Sequence, residues 1–197
     1  LHLLSRRQRQ MCIRDRVSDV IKNCFVKLGY GVVDVTDAEN LTAEQKRLVD
    51  ILLCSVENVH SEIISAYFPF VMTENVTLVD GKLQYSTLTN PKIVYPISLK
   101  RGAETRKIKA YPTYIQSDFS GEATFEYCAL LPSYSLSTEL PGNVPCWLLS
   151  EGVVAEYAYA NNLIDLGAQA EKKFREGICA LKAHSGAGRY VKPRRWA

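Results

Sequence analysis

Thr42-AEQKRLVDILLCSVENVHSEIISAYF-Pro69 is the stretch on which the reading of the fold turns. Thr42 and Gln45 stand at the spacing at which an N-cap hydroxyl and a side-chain amide satisfy each other's backbone donors. From Leu48 the apolar positions run Leu48, Leu52, Val56, Val59, Ile63 and Tyr67. Steps of three and four place them on one stripe of an α-helix. Ile51, Leu53 and Ile64 broaden that stripe, and Pro69 stops the helix. About 24 residues at the α-helical rise give roughly 36 Å, long enough to serve as a spine for the rest of the chain.

On the N-terminal side, Val17 to Leu28 reads as a short amphipathic helix with Val20, Ile21, Cys24, Phe25 and Leu28 inward, Ser18 as a candidate cap, and Gly29 and Gly31 as its stop. On the C-terminal side the period changes from 3.6 to 2. Val76-TLVDGKLQ-Tyr85 is a hairpin pattern with Asp80-Gly81 as a type I′ turn. Ile93, Tyr95, Ile97 and Leu99 alternate in a second run; Lys107–Ile115 and Ala123–Leu131 supply two more, with Ala123, Phe125, Tyr127, Ala129 and Leu131 on one face. Pro96 and Pro112 are expected at edges or bulges. After the proline-rich loop 132–145 the helical period returns along Leu149, Val153, Tyr157, Ala160 and Ile164, with a break at Asn161-Asn162 and Gly167. A last helix then carries Ala170, Phe174, Ile178 and Leu181 inward.

The expected fold class is therefore α+β: a helical bundle with a long N-terminal helix and a C-terminal helix pair, and a small antiparallel β-sheet inserted between them. One domain over 17–184 is expected, with helices at 17–69, the β insertion at 70–131 and helices at 145–184. Residues 185–197 are expected as an extended basic arm. Residues 1–16, LHLLSRRQRQMCIRDR, share no helical period with the helix that begins at Val17. Their last part resembles translated sequencing-adapter read-through, the alternative being a genuine basic arm; on either reading the segment is expected to be poorly ordered.

Of 197 residues, 47% are hydrophobic and 23% charged, the balance of a globular protein with a sizeable core. No apolar run reaches the length of a transmembrane helix, and no apolar leader with a small-residue cleavage site is expected at the N-terminus. The six cysteines are scattered without a CxxC pair, a pattern of buried thiols rather than of a disulfide framework. The total charge of +3 conceals a division. Residues 1–16 carry +4 and residues 185–197 another +4, which leaves −5 on the body between them. A mildly acidic body argues against a nucleic-acid-binding core, while a basic tail can still touch DNA or an acidic partner.

Residues that carry chemistry are sparse. His2, His60 and His184 do not cluster, so no metal site, cofactor site or catalytic residue is expected. There is no GxSxG elbow, and Cys146-Trp147 reads as packing at a helix start. Glu151 and Glu156, five apart, do not share a helix face well. Asp34, Asp37 and Glu39 lack calcium-loop spacing, and Ser185-GAG-Arg189 lacks the strand and helix that flank a phosphate loop. Tyrosine is the conspicuous residue type: Tyr85, Tyr95, Tyr111, Tyr114, Tyr127 and Tyr134 concentrate in or beside the β region. They read either as a partner interface, where tyrosine is enriched, or as ordinary half-buried strand residues.

Three segments carry a resemblance: Glu57-NVHSEIISA-Tyr67 closing the long helix; Glu74-NVTLVDGK-Leu83 shortly after it; and Pro145-CWLLSEGVVAE-Tyr157 followed by Ala170-EKK-Phe174 and Ala180-Leu-Lys182. In this layout, over roughly 40–184, the chain resembles bacteriophage head–tail adaptor (connector) proteins, including the tail tubular protein A type. The resemblance implies a non-enzymatic structural virion protein, assembled in the host bacterial cytoplasm. It would form a homo-oligomeric, dodecameric ring between the portal protein and the tail or nozzle protein. DNA would pass through the ring without specific binding, and no membrane would be involved. It further implies that the arm, with Arg189, Tyr190, Arg194, Arg195 and Trp196, reaches the portal, and that the β region faces the tail or a neighbour. The competing readings are another phage tail or neck structural protein and, from a different class, a small hydrolase or transferase.

Overall fold

The structure, a computed structural model, describes residues 15–37, 39–141 and 144–184. The chain order is helix α1 (Val17–Lys27), helix α2 (Ala43–Ala66), seven strands, then helices α3 (Cys146–Ala160) and α4 (Ile164–His184). The strands are β1 (Val71–Leu78), β2 (Lys82–Gln84), β3 (Ile93–Arg101), β4 (Glu104–Arg106), β5 (Ile108–Ala110), β6 (Tyr114–Ser117) and β7 (Gly121–Ala129).

The helix boundaries follow from caps. At α1, Gly29 adopts φ +86°. Tyr30 N–H donates to Phe25 C=O and Gly29 N–H to Val26 C=O, the paired bonds of a Schellman stop. The Tyr30 and Phe25 rings meet across that stop at 5.7 Å. The N-cap is Arg16 rather than Ser18, which lies inside the helix; Arg16 N–H donates to the Asp19 carboxylate at 3.0 Å. At α2 the reciprocal cap is present: Gln45 N–H donates to Thr42 Oγ1 at 3.2 Å and Thr42 N–H to Gln45 Oε1 at 2.9 Å. Leu48, Leu52, Val56, Val59 and Ile63 are all buried, while Ile51 faces solvent.

The long helix is not the spine. That place belongs to α3, which packs against α1, α2 and α4. Its residues Leu148, Leu149, Ser150, Gly152, Val153, Val154, Ala155 and Ala158 are buried around most of the circumference, as expected of a helix without a polar face. A Cβ at Gly152 would lie 2.5 Å from Val59 Cγ1 and 3.0 Å from the Phe174 ring, so the missing side chain sets how closely α2 and α4 approach α3.

The expectation of one small inserted sheet is overturned. The β region forms two antiparallel sheets, ordered β1-β7-β3-β4 and β2-β6-β5. Leu78, Leu83, Leu88, Leu99, Ile115, Ala123, Phe125, Tyr127 and Ala129 pack together as a core of their own. The protein is mixed α/β, with a substantial β half. Two local features explain the difference. The Asp80-Gly81 turn, with φ +50° and +72°, has the two left-handed residues of a type I′ turn. Pairing across it ends at Val79 and Lys82; Gly81 C=O accepts from Ser117 N–H, and β2 continues against β6 in the second sheet. The Lys107–Ile115 run is not one strand; its middle, around Pro112, is the turn between β5 and β6.

The simple alternation expected in β3 also fails. Register shifts between Ile93 and Tyr95 and between Pro96 and Ser98 set Ile93, Pro96 and Leu99 opposite Ala129, Tyr127 and Phe125. Two bulges thereby change the step along the inward face from two residues to three. The helical core and the β core meet at the C-terminal end of α2, where the Cys128 thiol donates to Ile64 C=O at 3.9 Å and both residues are buried. Of residues 1–16, Asp15 and Arg16 belong to the described fold. Leu140 N–H donates to Asp15 C=O and Cys146 N–H to the Asp15 carboxylate, each at 2.9 Å. Residues 1–14 and the arm 185–197 lie outside the described residues.

Candidate interaction surface

The six tyrosines of the β region do not converge. Tyr127 is fully buried, stacked on Phe125 with ring centroids 5.2 Å apart, and its hydroxyl donates to the Glu74 carboxylate. Burial opposes ionisation of Glu74, but the Tyr127 hydroxyl and the Thr89 N–H and hydroxyl outweigh it and hold the carboxyl below its ordinary value. Tyr134 lies in the helical half, its hydroxyl 2.8 Å from His60 Nδ1. Tyr85 sits half-buried in a short 3-10 turn, and Tyr95 half-buried opposite Cys128. Only Tyr111 and Tyr114 form a surface group. They stack at 4.6 Å at the β5–β6 turn, with the Lys82 ammonium 5.6 Å from the Tyr114 ring. The remaining interface candidates, Arg189, Tyr190, Arg194, Arg195 and Trp196, lie outside the described residues.

The surface the structure builds instead is the outer face of the four-stranded sheet. Residues alternate across β1, so Met72, Val76 and Leu78 turn inward while Thr73, Asn75 and Thr77 are exposed. Thr73 stands opposite Glu126, Asn75 opposite Thr124 and Thr77 opposite Glu122 on β7. Thr124 Oγ1 donates to Asn75 Oδ1 at 3.1 Å. On β3, Lys100 Nζ and Ser98 Oγ both reach Glu126, at 2.8 and 2.6 Å. Between them lies an open depression of about 560 Å³ lined by Asn75, Thr77, Lys100, Glu122 and Thr124 among others. Its hydroxyls and amide, beside the Lys100–Glu126 pair, suit hydrogen bonding to a partner's main chain or polar side chains.

Groups with chemical potential elsewhere are occupied. Burial pushes the Cys24 thiol up to about 12 and the Cys146 thiol up to about 11, so both stay protonated and poorly nucleophilic. Glu151 pairs with Lys27 at 2.8 Å, and Glu156 accepts from Asn58 at 2.8 Å; neither faces the other. Lys27 also donates to buried Ser150 at 2.9 Å, a polar clamp between α1 and α3 that the apolar period of α3 does not signal. Asp34 and Asp37 are spent on local turns, Asp34 accepting from Thr36 and Asp37 from Glu39 N–H and the Asn40 amide. Among the described residues no group of three or more Cys, His, Asp or Glu is placed to hold a metal ion, and no helix is long and apolar enough to cross a membrane. His60, on α2, is completely buried. Its Nε2 has no hydrogen-bond partner among the described residues, and burial lowers its pKa to about 4. No protein-family profile matches the chain, and no curated protein matches it in sequence.

Proposed function

We propose that this chain is a head–tail adaptor: a structural virion protein that assembles as a dodecameric ring between a portal and a tail or nozzle protein. The observation that carries the reading is the bipartite body. One helical core and one β core, each with its own buried cluster, meet at a narrow junction around Ile64 and Cys128. A part that must grip a partner at each end gains from two separately packed ends. The charge division supports the same reading. A body of net charge −5 would give DNA little to bind in a channel, since duplex affinity is dominated by cations that neutralise phosphates. The basic arm is left to find a partner at its own end. The raised thiols and the paired carboxylates leave recognition as the chemistry the surface performs best.

The test is reconstitution. The full chain, mixed with the portal protein that this reading requires in the same genome, is imaged by electron microscopy. The expected result is one ring of this chain stacked on the portal ring. Portal rings that stay bare at saturating chain, or turnover of a small molecule by the purified chain, would overturn the proposal.

A further inference from the structure

The four-stranded sheet ends in two unlike edges. β4 is three residues long and carries Glu104 and Arg106 paired with each other, a short, charged edge that resists further strand addition. β1 is eight residues long, pairs with β7 without a register shift, and contains neither proline nor lysine. Its main-chain directions can be assigned. Ala129 N–H donates to Phe70 C=O, so even-numbered residues point their groups at β7. Val79 exchanges both of its bonds with Lys82, on the side away from β7. Because direction alternates along a strand, Val71, Thr73, Asn75 and Thr77 aim their N–H and C=O groups at the open edge. None of those groups has a partner among the described residues.

The same odd-numbered residues form the exposed face, and with Val79 they read Val71, Thr73, Asn75, Thr77, Val79: a palindrome centred on Asn75. Val71 and Val79, at its two ends, are 49% and 68% exposed. We propose that β1 is a self-pairing edge, and that its partner is β1 of a second copy of this chain, related by a two-fold axis at Asn75. In that register Asn75 faces Asn75 of the other copy and Thr73 faces its Thr77. Each of these paired positions exchanges two main-chain bonds, and every side chain keeps its face of the sheet. The ladder ends at the two Thr73–Thr77 pairs, because Lys82 already occupies the edge beside Val79 and leaves Val71 of the other copy outside the pairing. Charge permits it. The one ionisable residue of β1, Glu74, turns inward to Tyr127 and Thr89, so no like charges meet across the axis. An edge that matches itself about a two-fold closes at two copies and does not propagate into a ring. The dimer therefore belongs to the free chain, and it holds or fails independently of the adaptor reading.

The experiment is sedimentation of the full chain across a concentration series, alone and with substitutions at the exposed Thr73 and Thr77. The wild-type chain is expected to show a monomer–dimer equilibrium. T73K/T77K, which sets lysine against lysine across the axis, is expected to weaken association by about tenfold or more. T73K/T77E, which sets lysine against glutamate in this register and no other symmetric one, is expected to restore it. Circular dichroism and thermal melting of each variant report that the fold is kept. A chain that is monomeric throughout, an oligomer indifferent to T73K/T77K, or a T73K/T77E variant as weak as T73K/T77K would overturn the proposal.

Discussion

The helical half and the β half bury their cores by different means. In the helical half one element, α3, is surrounded by the other three, and the close approach depends on what is missing: at Gly152 and Gly177 there is no side chain where a Cβ would collide with Val59 or with Leu148 and Trp147. In the β half no element is central. Two thin sheets close on stacked Phe125 and Tyr127, and one buried hydroxyl anchors that stack to a carboxylate on the neighbouring strand. One half thus depends on fit and tolerates no added volume; the other depends on a few large side chains and tolerates no loss of it.

The largest expected effect comes from removing such a side chain. Phe125→Ala leaves a cavity where a fully buried ring stood, at an expected cost of about 3–5 kcal/mol in urea denaturation. Because the cores join at a narrow seam, hydrogen exchange should show β1, β3 and β7 losing protection while α3 retains it. If α3 loses protection to the same degree, the two cores are one cooperative unit and the contrast fails.

The next effect belongs to the helical half alone. His60 has an ordinary pKa of 6.5 in the unfolded chain and about 4 in the fold, where burial disfavours the charged ring. Between those values the unfolded chain binds the proton and the folded one does not, so stability is full above pH 6.5 and falls as pH is lowered towards 4. The loss is up to about 3 kcal/mol. Melting temperature against pH should show this slope in the wild type and a shallower one in His60→Gln. An unchanged slope would place the acid sensitivity elsewhere.

How much of this is legible in the sequence differs between the halves for a physical reason. A helix writes its buried face in its own residues at fixed spacing, so α1 and α2 can be read nearly to their ends, including the Thr42/Gln45 box and the Gly29 stop, whereas α4 begins at Ile164 and runs on through Gly167, where the sequence suggests a break. The central position of α3 is harder to see, because a helix buried all round has no stripe to read. Its apolar residues fit a stripe ending in Ile164, which the break at Asn161-Asn162 leaves exposed on the next helix. In the β half the individual runs and the Asp80-Gly81 turn are legible. Which sheet each strand joins depends on pairing between residues far apart in sequence, and no local period encodes that. The two bulges in β3 then displace Tyr95 and Ile97 from the inward alternation with Leu99. The tyrosine interface fails for a related reason: composition groups six rings together, while the topology sends Tyr127 to one core and Tyr134 to the other. The open edge of β1 escapes a reading of the sequence because the hairpin pattern is recognisable only from Val76, past Glu74 and Asn75, which are poor strand formers.

The third prediction probes fit in the helical half. Gly152→Ala adds one methyl, but at a point 2.5 Å from Val59 and 3.0 Å from Phe174. The expected cost is about 1–3 kcal/mol, against the small gain alanine would give in an open helix. Trimming the neighbour should recover part of it, so Gly152→Ala with Val59→Ala should cost less than the two single changes combined, as measured by a double-mutant cycle. Strict additivity would mean that α2 simply moves away, and that the glycine does not set the helix spacing.

The smallest effect tests whether the long helix contributes through its end or only through its stripe. Thr42→Ala removes one half of the reciprocal cap and leaves Gln45 N–H unsatisfied, at an expected cost of about 1 kcal/mol. The stripe from Leu48 to Ile63 is untouched, so the loss should appear as fraying of the first turn, seen as faster amide exchange over residues 43–47, with no change at Val56 or Val59. Since α2 meets α3 near Val59 and the β half near Ile64, far along the helix from Thr42, the β half should not register the change at all. Faster exchange in β7 on this one substitution would show that α2 transmits strain along its whole length, and the two cores would then have to be treated as coupled through the helix as well as through their seam.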